Sequence, residues 1–191
     1  MAAGAFVAPG SDDPIVALIR AGDARQAIAA CAREHGSVLG RLCMALLGSQ
    51  AEAEEAVQEA LLAAYDAFPS YRGEGSVRGW LLGIARRICA RRLAKRARRQ
   101  RRLELIHDAQ AQSRLPDELA ERRRHGRRVR DALANLKPTE REAVLLRYGS
   151  ELSYREIAHI CGIDEAAARK RTSRALMKLR ALLSKKVPEV V

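Results

Sequence analysis

The chain has 191 residues, 48% of them hydrophobic and 30% charged, with a formal net charge of +12. Such a chain can bury a core and is sized for one large or two small domains; no apolar run reaches the roughly eighteen residues that cross a bilayer, so membrane insertion is not expected. The charge is uneven, −4 over residues 1–85, +10 over 86–102, −1 over 103–126 and +7 over 127–191.

Two separated basic blocks fit a polyanion held at two places, and the acidic N-terminal part fits a protein partner. Arginine outnumbers lysine 29 to 6, which fits guanidinium recognition of phosphate and guanine and also the codon bias of a GC-rich genome. Cys31, Cys43, Cys89 and Cys161 form no CxxC pair, the pattern of buried, reduced thiols in a cytoplasmic protein. Cys31 and His35 lie one turn apart but do not make a metal site.

Residues 1–13 are rich in Ala, Gly, Pro and Ser and are expected to be a mobile tail. Pro14 suits the first turn of a short helix through Arg20, which Gly22 and Asp23 break. From Ala24 to Leu47, apolar residues recur at three- and four-residue steps through Ile28, Cys31, Val38, Leu39, Leu42, Cys43, Leu46 and Leu47, and Gly48 ends the helix. Ser49 opens the next, whose stripe is Ala53, Ala56, Val57, Ala60, Leu61, Ala64, Tyr65 and Phe68. Its outer face carries Glu52, Glu54, Glu55, Gln58 and Glu59, read either as a solvated face or, more sharply, as a partner surface.

Residues 69–76 form a turn-rich loop, followed by a helix on which Val77, Trp80, Leu81, Ile84, Ala85, Ile88 and Cys89 are periodic. That helix then changes character. Ten cations from Arg86 to Arg102, with no acid between them, repel one another unless a polyanion is present. Residues 103–126 lack a sustained apolar stripe and read as a flexible linker with an end-to-end distance of roughly 27 Å.

The second domain starts near Arg127, with Val129, Leu133 and Leu136 on one helix, Pro138 as a break, and Thr139 with Glu142 as a capping box. Residues 143–148 are expected to form a short buried helix. Ser153 and Glu156 make a further capping box, Ile157, Ala158 and Ile160 give that helix one apolar face, Gly162 terminates it, and Asp164 caps the next. On this last helix Ala168, Ala175, Leu176, Leu179 and Leu183 point inward, while Arg169, Lys170, Arg171, Arg174 and Lys178 lie largely on the other side. Two short helices with a basic second helix make a helix-turn-helix, whose second helix a major groove admits. The bland counterpart is a solvated basic face on a core helix.

These pieces resemble an extracytoplasmic-function (ECF) sigma factor, the compact two-domain class of bacterial RNA polymerase specificity subunits. In the first half, 53–59 is similar to the family's acidic AED-x-VQE segment, and Tyr71, Arg72, Gly73, Ser76, Arg78, Trp80 and Leu81 to its F-R-G...S-x-R-x-W-L run. In the second, Leu136, Pro138, Arg141 and Glu142 are similar to L-x-P...RE, 152–158 to L-S-Y-x-E-I-A, and Arg171, Arg174 and Ala175 fall on S-R-L-x-R-A. The departures are Arg87 for Asn, Arg91 for Asp, and Ala166 to Ala168 for G-T-V, so promoter specificity does not transfer.

The resemblance implies an all-α chain of two helical domains, region 2 over 14–102 and region 4 over 127–186, with the linker at 103–126 and a tail at 187–191. It implies Glu54, Glu55, Gln58 and Glu59 as a surface for the polymerase clamp, region 4 meeting the flap. Tyr71, Arg72, Ser76, Arg78, Arg86, Arg87, Arg91 and Arg92 would meet the downstream promoter element and its single strand, the 69–76 loop receiving a flipped base. Arg169, Lys170, Arg171, Arg174 and Lys178 would meet the upstream element. An anti-sigma factor is a further implied partner. No phosphate-binding loop, dinucleotide fingerprint or nucleophile motif is present, so a binding protein is expected, not an enzyme, with no catalytic side chain, cofactor or metal. The rival readings are a stand-alone helix-turn-helix regulator and a sequence-indifferent nucleic-acid packaging protein.

Overall fold

The computed structural model describes residues 13–73, 75–104 and 128–184, which are helical apart from short connections. Helix α1 spans Pro14–Arg20, α2 Ala24–Leu47 and α3 Gln50–Ala67. After a 3₁₀ turn at Phe68–Ser70, α4 runs Val77–Glu104. Helix α5 covers 128–134, α6 Pro138–Val144, α7 Tyr154–Cys161 and α8 Glu165–Ser184. Most of the expected linker, and both tails, lie outside the described residues. No described helix is long and apolar enough to cross a membrane.

The helix ends follow local chemistry. The Asp13 carboxylate accepts from the Ile15 N–H at 2.9 Å with Pro14 at the first position, and Asp23 accepts from the Gln26 N–H at 3.0 Å; such caps satisfy backbone donors that a helix start leaves free. Gly48 closes α2 at φ 76°, a left-handed conformation that glycine adopts at no steric cost. Gly36 lies inside α2 and does not interrupt it.

Helices α1 to α4 enclose one apolar core in which Leu39, Cys43, Leu81, Leu82 and Ile88 are almost wholly buried. Helix α3 contributes mainly Ala53, Ala56, Ala60 and Ala64, small enough to let its backbone approach its neighbours. Tyr65, expected inside, is instead 45% exposed and meets Phe68 edge-on at 6.3 Å between ring centres. Trp80 is half-buried against Phe68 and Tyr71, at 5.9 and 4.8 Å.

The second half differs from expectation in two places. Its second described helix, α6, starts at Pro138, and Glu140, not Glu142, reaches back to the Lys137 N–H at 3.3 Å. Pro138 lacks an N–H and takes the first helical position, which moves the box two residues earlier than Thr139 and Glu142. The expected buried helix over 143–148 is divided between the end of α6 and a π-helical stretch, Leu145–Gly149.

The greater difference concerns packing. Leu146, Leu152, Ile157, Ala158, Ile160 and Ala168 join the same apolar cluster as the residues of α1 to α4. Among the described residues, Ala132, Leu136, Val144, Ala175 and Leu179, with the partly buried Leu133 and Leu183 against them, form a core belonging to the second half alone. The two halves therefore touch, which a reading of each helix by its own period could not reveal.

Candidate nucleic-acid interface

Helix α8 is positioned by its inner face. Ala168, Thr172, Ala175 and Leu179 are buried, and the Thr172 hydroxyl donates to the Ala168 carbonyl at 2.9 Å, so this hydroxyl has a partner in an otherwise apolar seam. Asp164 caps the helix start, accepting from the Ala167 N–H at 2.7 Å, and Gly162 turns the corner at φ 65°. The Ser153–Glu156 capping box is formed with both arms in place.

Of the five cations expected here, Lys170 and Arg174 are exposed and Arg171 is half-exposed, and none forms an ion pair with a described residue. Arg169 is also exposed but is held by Glu165 and by the Tyr154 ring, 4.9 Å from its guanidinium. Lys178 is different. Its ammonium donates to both oxygens of Glu140 at 2.7 and 2.9 Å, and this bonding, with the Lys137 N–H, keeps the Glu140 carboxyl below the usual glutamate range.

In the first half, Ser76 caps α4, its hydroxyl oxygen accepting from the Gly79 N–H at 3.1 Å while its proton goes to Glu156 at 2.7 Å. The fit at Gly79 is tight: a Cβ would lie 3.0 Å from the Ser76 Oγ and 3.4 Å from the Glu156 Oε1. Arg72 is exposed, and Arg78 reaches Glu151 only at 4.0 Å, leaving its buried Nε without a partner. The Tyr71 hydroxyl and the His35 Nε2 are likewise buried and unpartnered, and burial pushes the tyrosine pKa up and the histidine pKa down.

Arg86 is bound most firmly. Its Nε and Nη2 donate to the two oxygens of Glu142 at 2.6 and 3.1 Å, and its Nη1 donates to the Ile160 carbonyl at 3.3 Å. Burial opposes the Arg86 charge, but the bonds to Glu142 outweigh it and raise the guanidinium pKa. Arg87, next along, is exposed and has no ion pair among the described residues.

The acidic face of α3 and the basic run of α4 meet each other. Arg92 donates to Glu55 at 2.9 Å and to Glu59 at 2.9 and 3.3 Å, Arg91 donates to Glu59 at 3.0 Å, and Arg96 lies 4.0 Å from Glu52. Bonds first from Glu55 and then from Glu59 raise the Arg92 pKa. Glu54 and Gln58 stand apart from this ladder and line a cleft of about 730 Å³, with Met44, Val57, Leu145 and Arg130 among its walls.

The structure thus adds three residues that sequence reasoning did not assign to any site: Glu142, Glu151 and Glu156, all from the second half and all facing cations or the hydroxyl of the first. Glu156 was legible as the second member of a capping box, and that local role accounted for it fully. Nothing in the spacing marks a carboxylate that also serves a residue eighty positions away.

Comparison with known proteins follows the same division. Residues 31–99 match the family Sigma-70 region 2, and residues 126–179 match Sigma-70, region 4. The chain is 34% identical over 137 residues to the ECF RNA polymerase sigma factor SigC of Mycobacterium tuberculosis, covering 69% of this chain and 70% of that one. It is 31% identical over 156 residues to SigL of the same species, covering 78% and 85%. Among solved structures it is similar to CnrH in complex with the cytosolic domain of CnrY, with a TM-score of 0.68, 25% identity, and coverage of 91% of this chain and 97% of that one. It is also similar to the sigma factor RpoE in complex with the anti-sigma factor NepR from Bartonella quintana, with a TM-score of 0.65, 26% identity, and coverage of 81% and 97%. Two helical domains in this order, the second a helix-turn-helix, with relatives of this kind over most of their length, place the chain in the ECF family of RNA polymerase sigma factors.

Proposed function

We propose that this sigma factor divides its work between the two described halves, region 2 over 14–102 and region 4 over 127–186. Region 4 holds the upstream promoter element through Lys170, Arg171 and Arg174, with Arg169 fixed beside them. The observation that carries this is the set of cations on the outer face of α8 that have no ion pair among the described residues, opposite a buried inner face. A helix with one side packed and the other cationic can enter a major groove without rearranging its own domain.

Region 2 meets the downstream element through the 69–76 loop and α4, with Tyr71, Arg72, Ser76, Arg78, Arg86 and Arg87 facing an opened strand. Opening a duplex requires a few kcal/mol of unstacking, about what an extruded-base pocket and a cationic strand surface can offset. Glu54 and Gln58, with the partly neutralised Glu55 and Glu59, form the contact to the polymerase clamp, and region 4 contacts the flap. An anti-sigma factor of the kind named in the similar structures is a further partner. The chain acts by binding, in the cytoplasm where polymerase and promoter meet.

Transcription from genomic DNA in vitro tests this. Footprints of the free protein should be diffuse and salt-sensitive, because its cationic runs bind any duplex by counterion release, and should sharpen, with the downstream element opened, when core polymerase is added. A sharp footprint by the free protein with no strand opening on adding polymerase would overturn it.

A further inference from the structure

The ring of Tyr154 holds two arginines. The Arg147 guanidinium stands 4.8 Å from the ring centre and the Arg169 guanidinium 4.9 Å. Both distances are inside the roughly 6 Å over which a cation is attracted to an aromatic face. Three elements of region 4 meet here: Arg147 belongs to the π-helical stretch Leu145–Gly149, Tyr154 opens α7, and Arg169 lies in the second turn of α8. Such π-helical stretches are rare and recur at functional sites.

Two of the three side chains are anchored elsewhere. Arg147 donates through Nη1 to the Leu152 carbonyl at 2.9 Å, which ties it to the turn before α7. Tyr154 follows the Ser153–Glu156 capping box and packs against the apolar cluster that both halves share. Arg169 is exposed, and its other partner among the described residues is Glu165, one turn earlier on the same helix. An exposed pair at that spacing is weak and is screened by salt.

The two contacts of Arg169 differ in what they leave free. Glu165 takes up N–H groups of the guanidinium, the groups that fork a guanine or a phosphate. The ring holds the charge as a whole and brings no pair of oxygen acceptors to consume those donors. Arg169 can therefore exchange Glu165 for DNA while it stays on Tyr154. A side chain already held in place gives up less rotamer freedom on binding than one free in solvent. In a helix-turn-helix the N-terminal residues of the second helix contact base edges, and of the five α8 cations Arg169 lies nearest that end.

We propose that Tyr154, braced by Arg147, is a positioning residue for promoter selection, holding Arg169 at the end of α8 that enters the groove. The inference rests on the assignment of the α8 cations to the upstream element. Tyr154 acts through Arg169 and not on the DNA itself, so its contribution vanishes when Arg169 is absent.

The test uses holoenzyme, core polymerase with the full chain, on a promoter fragment recovered by in vitro transcription of genomic DNA and on copies with single base-pair changes in its upstream element. Wild type, Tyr154→Leu, Arg169→Ala and the double variant form a cycle. Tyr154→Leu should weaken binding about two- to fivefold, the range for a cation held on an exposed ring. It should relax discrimination at the same base pairs as Arg169→Ala, and in the Arg169→Ala background it should cost nothing further. Tyr154→Phe keeps the ring face and should bind as wild type does, with the same salt dependence. Equal loss from Tyr154→Leu in both backgrounds would overturn the inference and leave Tyr154 a packing residue, and a loss in Tyr154→Phe would overturn it in favour of the hydroxyl. If Arg169→Ala binds every copy as wild type does, the assignment of Arg169 to the upstream element fails and takes the inference with it, which separates the two failures. Because Tyr154 also packs on the core, Tyr154→Leu could fold poorly, so a second variant, Arg147→Gln, leaves the ring in place and removes only the bracing cation. It should cost less than Tyr154→Leu, on the same base pairs, and nothing once Arg169 is alanine. No loss, or a loss independent of Arg169, would overturn the proposal.

Discussion

On α4, Arg86 is forked onto Glu142, Arg91 and Arg92 onto Glu59 and Glu55, and Arg96 approaches Glu52, whereas on α8 Lys170, Arg171 and Arg174 have no acidic partner among the described residues. The two basic blocks look alike when charges are counted along the chain. In the fold, Arg86, Arg91, Arg92 and Arg96 of the first block face carboxylates of helices that pack beside them while its other six cations have no ion pair among the described residues, and on α8 Arg169 and Lys178 are paired while Lys170, Arg171 and Arg174 are open. A count of cations measures what a surface could attract; the carboxylates within about 4 Å decide what it attracts first.

The comparison makes its strongest claim for α8. If Arg171 and Arg174 are free to reach base edges, Arg171→Ala or Arg174→Ala should weaken holoenzyme binding to the cognate promoter by ~1 to 3 kcal/mol each. The loss should fall on particular base pairs. Equal loss on all sequences, with a shallower salt dependence, would assign these side chains to phosphates, and no loss would return α8 to a solvated face.

A smaller effect is expected where cations are already paired. Arg92→Ala removes the partner that Glu55 and Glu59 share, and since both glutamates keep access to water the cost to region 2 should be only ~0.2 to 1 kcal/mol. Thermal unfolding measures this, and high salt should erase the difference between variant and wild type. A loss several times larger would mean that the ladder between α3 and α4 holds the domain together and is not a surface held in reserve for polymerase.

How far the sequence anticipated all this depended on distance along the chain. The short helix at Pro14, the long one ending at Gly48, the Ser153–Glu156 box and the Gly162 corner depend on residues three or four apart, and periodicity and capping chemistry find such features. Tyr65 fell on the apolar stripe of α3 yet is exposed, because at the end of that helix the core narrows to Phe68 and Trp80 and the ring lies outside it. Lys178 was grouped with the DNA-facing cations by helical period, but Glu140 on α6, thirty-eight residues earlier, binds it. The Arg86–Glu142 and Ser76–Glu156 contacts span still greater separations, and each partner already had an adequate local reading. Ile157 and Ile160 were recognised as apolar, but periodicity does not say which neighbour an apolar face will meet.

The weakest expected effect is also the one that joins both sides of the comparison, since Glu156 belongs to region 4 and binds the cap of α4. Burial works against its charge, but the Ser153 N–H at 2.9 Å, the Ser76 hydroxyl at 2.7 Å, the Ser153 hydroxyl at 2.8 Å and the field of Arg78 hold its carboxyl below the ordinary glutamate value of 4.5. A carboxyl whose folded pKa lies below its unfolded one takes up its proton more readily in the unfolded chain. Its contribution to stability is therefore complete above the unfolded value and is lost as pH falls through the folded one. Half-exposed, Glu156 gives up part of this to solvent, so the loss should be modest. Glu140 is depressed in the same direction and lies outside the domain contact, so wild type alone would not separate the two. Thermal unfolding of wild type and Glu156→Gln from about pH 6 to about pH 3 isolates the term, because only the wild type can lose it. The wild-type advantage should be constant above pH 4.5 and shrink below it. An advantage that persists to the lowest pH would mean that Glu156 stays charged throughout or contributes by shape alone, and that the contact between α4 and α7 does not depend on its charge.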